Sequence, residues 1–433
     1  MPSLVRQNQG VHSAATSWDF MTALSVEPKD TDALSVLQDQ FGFGGFRDGQ
    51  QAVVESILGG TDTLAVMPTG AGKSVCFQLP ALMRPGFAVV VSPLIALMEN
   101  QVAALRAAGI GAGMIHSGRD RALNVEDWKA AVAGQSKLLY MSPERLTTAR
   151  MVGALKNQPL SLLVVDEAHC ISQWGHHFRQ EYLSLGGLKQ HFDNVPMAAF
   201  TATADRRTRG DIVSQLFGGE AQTFVQGFDR PNIAISIREK MKGTRQLESL
   251  LRQRRGQPGI VYCRSRKTTE QTATALCAMG HNAYAYHAGL PEQVRSDVLA
   301  RFMERDDVVV CATVAFGMGI DKPDIRYVIH RDLPASVEAY YQEMGRAGRD
   351  GEPAEAILLY GVGDLIVRRK MIDNSSAPDE FKRLEREKLD QLAALCDARV
   401  CRRNLLLGYF GEERSDVCGR CDVCMPKGAR RAA

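Results

Sequence analysis

TLAVMPTGAGKSVCFQL, residues 63–79, runs from a short apolar segment through a Gly-rich turn into a helix-compatible apolar segment. A Gly-rich turn of this kind exposes backbone N–H groups toward a phosphate. The start of the following helix adds a favourable dipole. Thr69, Gly70, Ala71 and Gly72 form the expected cradle. Lys73 is placed to reach the β- and γ-phosphates, and Ser74 to hold Mg²⁺. Met67 stands where the general pattern G-x-x-x-x-G-K-[ST] has its first Gly. The bland reading of these residues is a chance glycine turn.

Further apolar segments alternate with helical patterns on both sides of this stretch. FAVVVSP (87–93), KLLYMSP (137–143), SLLVVDE (161–167) and MAAFTAT (197–203) follow the first segment. Their recurrent Val points to strands buried on both faces of a parallel sheet. The spacing leaves room for crossover helices. VQGFDRPNI (225–233) breaks the pattern with Gly and Pro and reads as a linker. The alternation then restarts with GIVYCRS (259–265), AYAYHAG (283–289), DVVVCAT (307–313), RYVIHRD (326–332) and EAILLYG (355–361). The expected class is therefore α/β, with two parallel-sheet lobes. The expected organisation is an extension over 1–30, a first lobe over 31–225, a second over 226–370, a helical metal-binding module over 371–427 and a tail over 428–433.

Asp166 and Glu167 close a strong apolar segment, in DEAH (166–169). A carboxylate there can orient Mg²⁺, and its neighbour can activate the water that attacks a γ-phosphate. An isolated Asp-Glu pair is usually a solvated strand end, but this pair lies downstream of a phosphate loop. QEMGRAGRDG (342–351) places Arg346 and Arg349 three residues apart in the second lobe. Guanidinium groups suit the charge that develops on a transferring phosphoryl group. Surface arginines in a Gly-rich loop are the bland alternative. Joint use of both lobes would let ATP close the cleft between them and hydrolysis open it.

Bulk properties limit the partners. The chain has 433 residues, 45% hydrophobic and 23% charged, with a formal net charge of +3. Such a small charge makes any polyanion-binding surface local. No apolar run reaches the roughly 18 residues of a membrane span. The start, MPSLVRQNQG, carries no apolar signal core. A cytoplasmic, nucleoid-associated protein with no membrane partner is expected. The ten cysteines then read as thiols or metal ligands rather than disulfides.

The ordered set of motifs resembles the RecQ family of DNA helicases, within helicase superfamily 2, from about residue 36 to 427. FGFGGFRDGQ (41–50) is similar to the family's adenine-reading segment, which gives that role to Phe43, Arg47 and Gln50. MPTGAGKS, SPLIALMENQV (92–102), YMSPERL (140–146), DEAH and TATAD (201–205) follow in the family's order. VYCRSRK (261–267), YHAGL (286–290), VVCATVAFGMGIDKPDIRYVIH (309–330) and YYQEMGRAGRDG (340–351) continue it. The resemblance implies that Asp321 reads the nucleotide state, Gln342 lines the cleft, and Arg346 and Arg349 are arginine fingers. CISQWGHHFRQEY (170–182) resembles the family's aromatic-rich loop. It departs from the usual form with His177 for Asp and Gln180 for Pro. By resemblance, Trp174, Phe178 and Tyr182 stack on unpaired bases and Arg179 holds phosphate or stacks. Packing in the core is the alternative for these aromatics.

CRRNLLLGYFGEERSDVCGRCDVC (401–424) carries two overlapping C-x-x-C spacings. Cys418, Cys421 and Cys424 can converge on one ion, with Cys401 as fourth ligand. Four sulfurs suit a closed tetrahedral Zn²⁺ site. An iron–sulfur cluster and four free thiols remain the alternatives. In RecQ proteins the matching segment is a zinc-closed helical hairpin. Arg402, Arg403, Arg414 and Arg420 surround the cysteines and either meet backbone phosphates or lie on a plain solvated surface. Nine residues follow Cys424, too few for the winged-helix and small helical domains that many RecQ proteins add. Weak unwinding rescued by an added strand-melting element or an accessory DNA-repair protein is the expected consequence.

The function expected is an ATP-dependent helicase that moves 3′ to 5′ on single-stranded DNA and opens duplexes at single-strand/duplex junctions, in repair or recombination. Its cofactors would be ATP, Mg²⁺ and Zn²⁺, and the resemblance alone supplies the polarity. The alternatives are an RNA helicase, a DNA-stimulated translocase or remodeller that does not unwind, and a non-catalytic binding or annealing protein.

Overall fold

The computed structural model describes residues 32–172, 179–192, 194–241, 244–317 and 322–425. In the first lobe the strands are β1 (Thr63–Val66), β2 (Phe87–Val91), β3 (Ala112–Ile115), β4 (Leu138–Met141), β5 (Leu160–Val165), β6 (Met197–Thr201) and β7 (Gln222–Val225). They form a parallel sheet of order β3-β4-β2-β5-β6-β1-β7. In the second lobe the strands are β8 (Ile233–Glu239), β9 (Gly259–Tyr262), β10 (Asn282–Tyr286), β11 (Val308–Ala312), β12 (Tyr327–His330) and β13 (Ala354–Tyr360). Their order is β10-β11-β9-β12-β13-β8, again parallel. Every residue of β1, β2, β4 and β6 is buried, as the unbroken apolar segments require when helices cover both faces.

Three strands escaped the sequence pattern. β3 is AGMI, short and interrupted by Gly113. β7 is a largely exposed edge strand. β8 alternates Ile233, Ile235 and Ile237 directly after the linker. β7 and β8 are sheet edges, where the two-sided apolar signal weakens.

Parallel pairing puts every strand's carboxyl end on one rim of each sheet. In the first lobe, Val66 pairs with Thr201 and Val91 with Val165. The Met67 amide donates to the Thr201 carbonyl at 3.0 Å and the Asp166 amide to the Val91 carbonyl at 2.9 Å. Register alone therefore aligns the phosphate loop, the DEAH carboxylates and the TATAD segment along one rim.

Helices Val362–Asp373, Asp379–Asp397 and Arg402–Tyr409 follow the second sheet and lead to the cysteine loop. Cys421 bridges to Ile235 of edge strand β8. The Ile235 amide donates to the Arg420 carbonyl at 3.1 Å, and the Asp422 amide to the Ile235 carbonyl at 2.9 Å. One continuous apolar core runs from Leu64 and Val165 of the first lobe through Tyr341 of the second to Leu392, Phe410 and Cys421 of the module.

Candidate nucleotide cleft and nucleic-acid interface

The phosphate loop turns at Gly70 (φ 87°) and Gly72 (φ 79°), both left-handed. At Gly72 the left-handed φ would strain any side chain, and a Cβ would also push aside the Gln50 amide 2.4 Å away. Gln50 Nε2 donates to the Ala71 carbonyl at 2.8 Å and the Gly72 carbonyl at 3.4 Å. The Arg47 guanidinium donates to the Gly70 carbonyl, and the Arg47 amide donates to Gln50 Oε1 at 2.8 Å. The 41–50 segment thus occupies the loop's carbonyls at Gly70, Ala71 and Gly72, while the Ala71 amide donates to the Pro68 carbonyl at 3.1 Å. Phe43, in the same segment, is 46% exposed. Met67 is fully buried and packs against Cys76, which explains why an apolar residue is accepted there.

Lys73 Nζ donates to the Met67 and Pro68 carbonyls at 3.1 and 3.4 Å. Burial lowers its pKa, opposed by the carboxylates of Glu167 and Asp166. Ser74 Oγ accepts from Gln101 Nε2 at 3.1 Å, and Gln101 Oε1 accepts from the Tyr140 hydroxyl at 2.8 Å. Gln101 lies in a segment the sequence singled out, yet its role as a prop for Ser74 had no signature.

Asp166 is 6% exposed. Burial, reinforced by Glu167, pushes its carboxyl up to about 7. A carboxyl held in that state is one that a hard cation would return to its ionised form. Together with the Ser74 hydroxyl it would offer oxygen donors of the kind Mg²⁺ takes. Glu167 has φ 48°, the only left-handed non-glycine among the described residues. Such backbone costs about 1–3 kcal/mol and is characteristic of functional sites. His169 Nδ1 lies 3.3 Å from Glu167 Oε2 and 2.9 Å from Thr201 Oγ1. Thr201 Oγ1 donates to the Thr203 carbonyl at 3.1 Å, and Gln342 Nε2 of the second lobe donates to Thr203 Oγ1 at 3.1 Å. These contacts run from the Glu167 carboxylate across the cleft to the second lobe.

The two arginines of the second lobe are not equivalent. Arg349 lies over the phosphate loop, its Cγ 3.5 Å from where a Cβ on Gly70 would sit. Arg346 is 7% exposed and turned onto the Gly317 carbonyl of its own lobe. Asp321 lies outside the described residues. Arg230 was missed by the sequence reading. It donates Nη1 to the Thr69 carbonyl at 3.2 Å and the Gly345 carbonyl at 2.9 Å, and Nη2 to the Ala347 and Gly348 carbonyls, both at 2.9 Å. A linker arginine therefore ties the phosphate loop to the loop that carries Arg346 and Arg349. Nothing in the bare tripeptide Asp-Arg-Pro announces this.

The linker is itself held by the C-terminal module. Phe228 stacks on Phe410 with centroids 4.5 Å apart, and the Tyr341 hydroxyl donates to the Phe228 carbonyl at 2.6 Å. Arg403 donates to Asp229 Oδ1 at 2.5 Å and to the Arg230 and Ile233 carbonyls, both at 2.6 Å. Arg414 also pairs with Asp229, and Arg420 donates to the Pro231 carbonyl at 3.3 Å. Arg402 is buried on Asp422 and the Leu395 and Cys396 carbonyls. This corrects the phosphate reading of Arg402 and Arg403, whose guanidinium groups are consumed inside the protein.

Trp174 and Phe178 lie outside the described residues. Arg179 donates Nη1 to the Pro93 carbonyl at 2.7 Å, linking the loop after DEAH to the 92–102 segment. Tyr182 corrects another expectation. It is fully buried and donates its hydroxyl to the Asp166 carbonyl at 3.0 Å, so its ring packs in the core and presents no face to a base.

The ligand sulfurs of Cys401, Cys418, Cys421 and Cys424 all lie within 4.8 Å of one another. A tetrahedral zinc with bonds of about 2.3 Å needs sulfurs about 3.8 Å apart, which this cluster accommodates with no open position. Cys396 is buried outside the cluster.

Two parallel-sheet lobes meeting over one phosphate loop, with DEAH carboxylates on one side and arginines on the other, define the helicase class of P-loop proteins. A model for DEAD/DEAH box helicases matches residues 47–212, one for the helicase conserved C-terminal domain matches 242–351, and one for RecQ zinc-binding matches 362–425. The chain is 44% identical over 395 residues to the ATP-dependent DNA helicase RecQ of Haemophilus influenzae, covering 91% of this chain and 63% of that protein. It is 39% identical over 394 residues to the Bacillus subtilis protein of the same name, covering 90% and 66%. Mss116p bound to single-stranded RNA and AMP-PNP has a similar structure, with a TM-score of 0.64 at 16% identity over 87% of this chain and 89% of that one. The helicase MrfA bound to DNA gives 0.63 at 18% identity over 89% and 59%. At those identities the likeness is one of fold. The chain belongs to the RecQ family of helicases, and the four cysteines are its zinc site. It spans about 63% of the length of the Haemophilus relative.

Proposed function

We propose that this chain is a DNA-stimulated ATPase that moves 3′ to 5′ on single-stranded DNA and separates duplexes ahead of it. The observation that carries the reading is the shared cleft, in which Arg349 and Gln342 of one lobe approach the Gly70 loop and Thr203 of the other. Hydrolysis there is coupled to lobe motion because both lobes supply groups to one nucleotide. The relatives' printed name, ATP-dependent DNA helicase, supports DNA over RNA. On this reading ATP and Mg²⁺ are held by Lys73, Ser74, Asp166 and Glu167, Phe43 reads the base, and Asp321 reports the nucleotide state. Trp174, Phe178 and Arg179 meet the strand at single-strand/duplex junctions. The setting is the cytoplasm, at the nucleoid, in repair or recombination, alongside an accessory DNA-repair protein. No described helix is long and apolar enough to cross a membrane.

The test is ATP hydrolysis with and without single-stranded DNA for the wild type, Lys73→Ala and Glu167→Ala, followed by unwinding of a duplex with a 3′ overhang. DNA stimulation lost in both variants, together with unwinding, supports the proposal. Stimulation without unwinding restricts it to translocation, and hydrolysis indifferent to DNA in a folded, zinc-loaded sample overturns it.

A further inference from the structure

A cavity of about 530 Å³ opens on the first lobe, away from the phosphate loop, where β3 and β4 end. Ligand pockets fall in the range of about 300–1,000 Å³. Its wall is apolar, with Val125, Trp128 and Met151 prominent, and its rim carries Arg121, Arg145 and Arg150. All three arginines are exposed, and none makes a side-chain hydrogen bond or ion pair with the described residues. Arg119, which also lines the cavity, is already committed to Asp127 at 2.6 Å. His116 is 3% exposed and lines the same space, yet neither ring nitrogen has a hydrogen-bond partner among the described residues. A buried imidazole left unsatisfied in an arginine-rimmed, apolar-walled cavity calls for a polar ligand group beside it.

We propose that this cavity is a nucleotide-binding pocket for one unit of the single strand. The base lies against Trp128, its polar edge meets His116, and the adjoining phosphates meet Arg121, Arg145 and Arg150. An indole face accepts any base, and unpaired guanidinium groups suit phosphates. The cavity shares the strand-end rim with Pro93 and Asp166, so a strand crossing the lobe passes its mouth. An acidic peptide would satisfy the arginines but leave the aromatic wall without a flat partner. The inference rests on the single-strand reading proposed above and assigns a base-holding subsite that the hydrolytic cleft does not need.

The experiment uses the full chain with a thymidine oligonucleotide carrying 5-iododeoxyuridine, which cross-links to nearby aromatic side chains under near-ultraviolet light. Peptide mapping should place a cross-link on Trp128. The double variant Arg121→Gln/Arg150→Gln, altered only at exposed positions, should bind the oligonucleotide about tenfold more weakly and lower the salt slope by about one per arginine. Cross-linking confined to other residues, with affinity and salt slope unchanged in the variant, overturns the pocket and leaves the motor reading standing. A chain that binds no oligonucleotide but binds dTMP with the same arginine dependence retains the pocket for free nucleotides and sinks the motor reading. Displacement by an acidic peptide with no nucleotide cross-link overturns the pocket in favour of a protein partner.

Discussion

Arg230 of the interlobe linker donates to the Thr69 carbonyl of the phosphate loop at 3.2 Å and, with the same Nη1, to the Gly345 carbonyl beside Arg346 at 2.9 Å. It touches backbone on both sides of the cleft and no reacting atom, so it is a positioning residue. Arg230→Ala should lower DNA-stimulated kcat about tenfold to a hundredfold, the cost typical of misplacing catalytic groups by about 1 Å. The KM for ATP should move far less, because Lys73, Gln50 and Phe43 remain. Steady-state kinetics on a zinc-loaded variant check this, and Arg230→Lys should recover little because one ammonium cannot replace a fork that serves four carbonyls.

Asp166 gives a pH prediction. Its carboxyl titrates near 7 without metal, far above its usual range, because it is buried beside Glu167. The folded state therefore holds a proton that the unfolded state releases near pH 4. Between those values metal-free stability falls as pH rises. Apparent Mg²⁺ affinity moves the other way, weakening about tenfold per unit below pH 7, because binding must displace the proton. Thermal melts of the zinc-loaded protein without added Mg²⁺ at pH 5 and pH 8, compared with Asp166→Asn, which lacks this titration alone, test the first sign. Mg²⁺ titrations of nucleotide binding test the second.

Tyr182 separates core packing from base stacking. Tyr182→Phe removes the hydroxyl bond to the Asp166 carbonyl and should cost about 1 kcal/mol of stability. Oligonucleotide affinity should stay unchanged. Trp174→Ala, by contrast, should weaken single-strand binding by about 1–3 kcal/mol if the stacking role proposed for it holds. Fluorescence anisotropy on both variants decides the matter.

The zinc site should carry its effect into the cleft. Cys421→Ser should abolish bound zinc, loosen the pairing with Ile235 on β8 and release the module from the linker. Phe410→Ala, which leaves the cysteines intact, should cost about 3–5 kcal/mol because it empties a stack against Phe228 and Tyr341. Metal content by spectroscopy should drop only in the cysteine variant. ATPase should fall in both if the linker must be held.

Much of the site was readable from local pattern, because phosphate binding needs a contiguous loop and hydrolysis a carboxylate at a strand end. Lys73, Asp166 and the four cysteines carry their chemistry in spacing. Arg230, Gln101 and Arg403 do not, because each acts by bonding backbone or side chains far away in sequence. Tyr182 looked like a stacking residue because it sits among aromatics in sequence, but its place on the helix Gln180–Leu183 turns it beneath Asp166. β7 and β8 went unread because an edge strand lacks the two-sided burial that marks its neighbours.

The grip of Arg403 on Asp229 spans 174 residues of chain. At about 5–20 residues per second of synthesis, the linker leaves the ribosome roughly 10–35 s before its clasp exists. The nascent protein therefore passes through a stage in which both lobes are made but their relative placement is unlatched, and a later-made segment sets the geometry of an earlier-made loop. A truncation or a slow supply of zinc would hold newly made chains at that stage, where the unclasped aromatics Phe228 and Tyr341 are open to quality-control proteases.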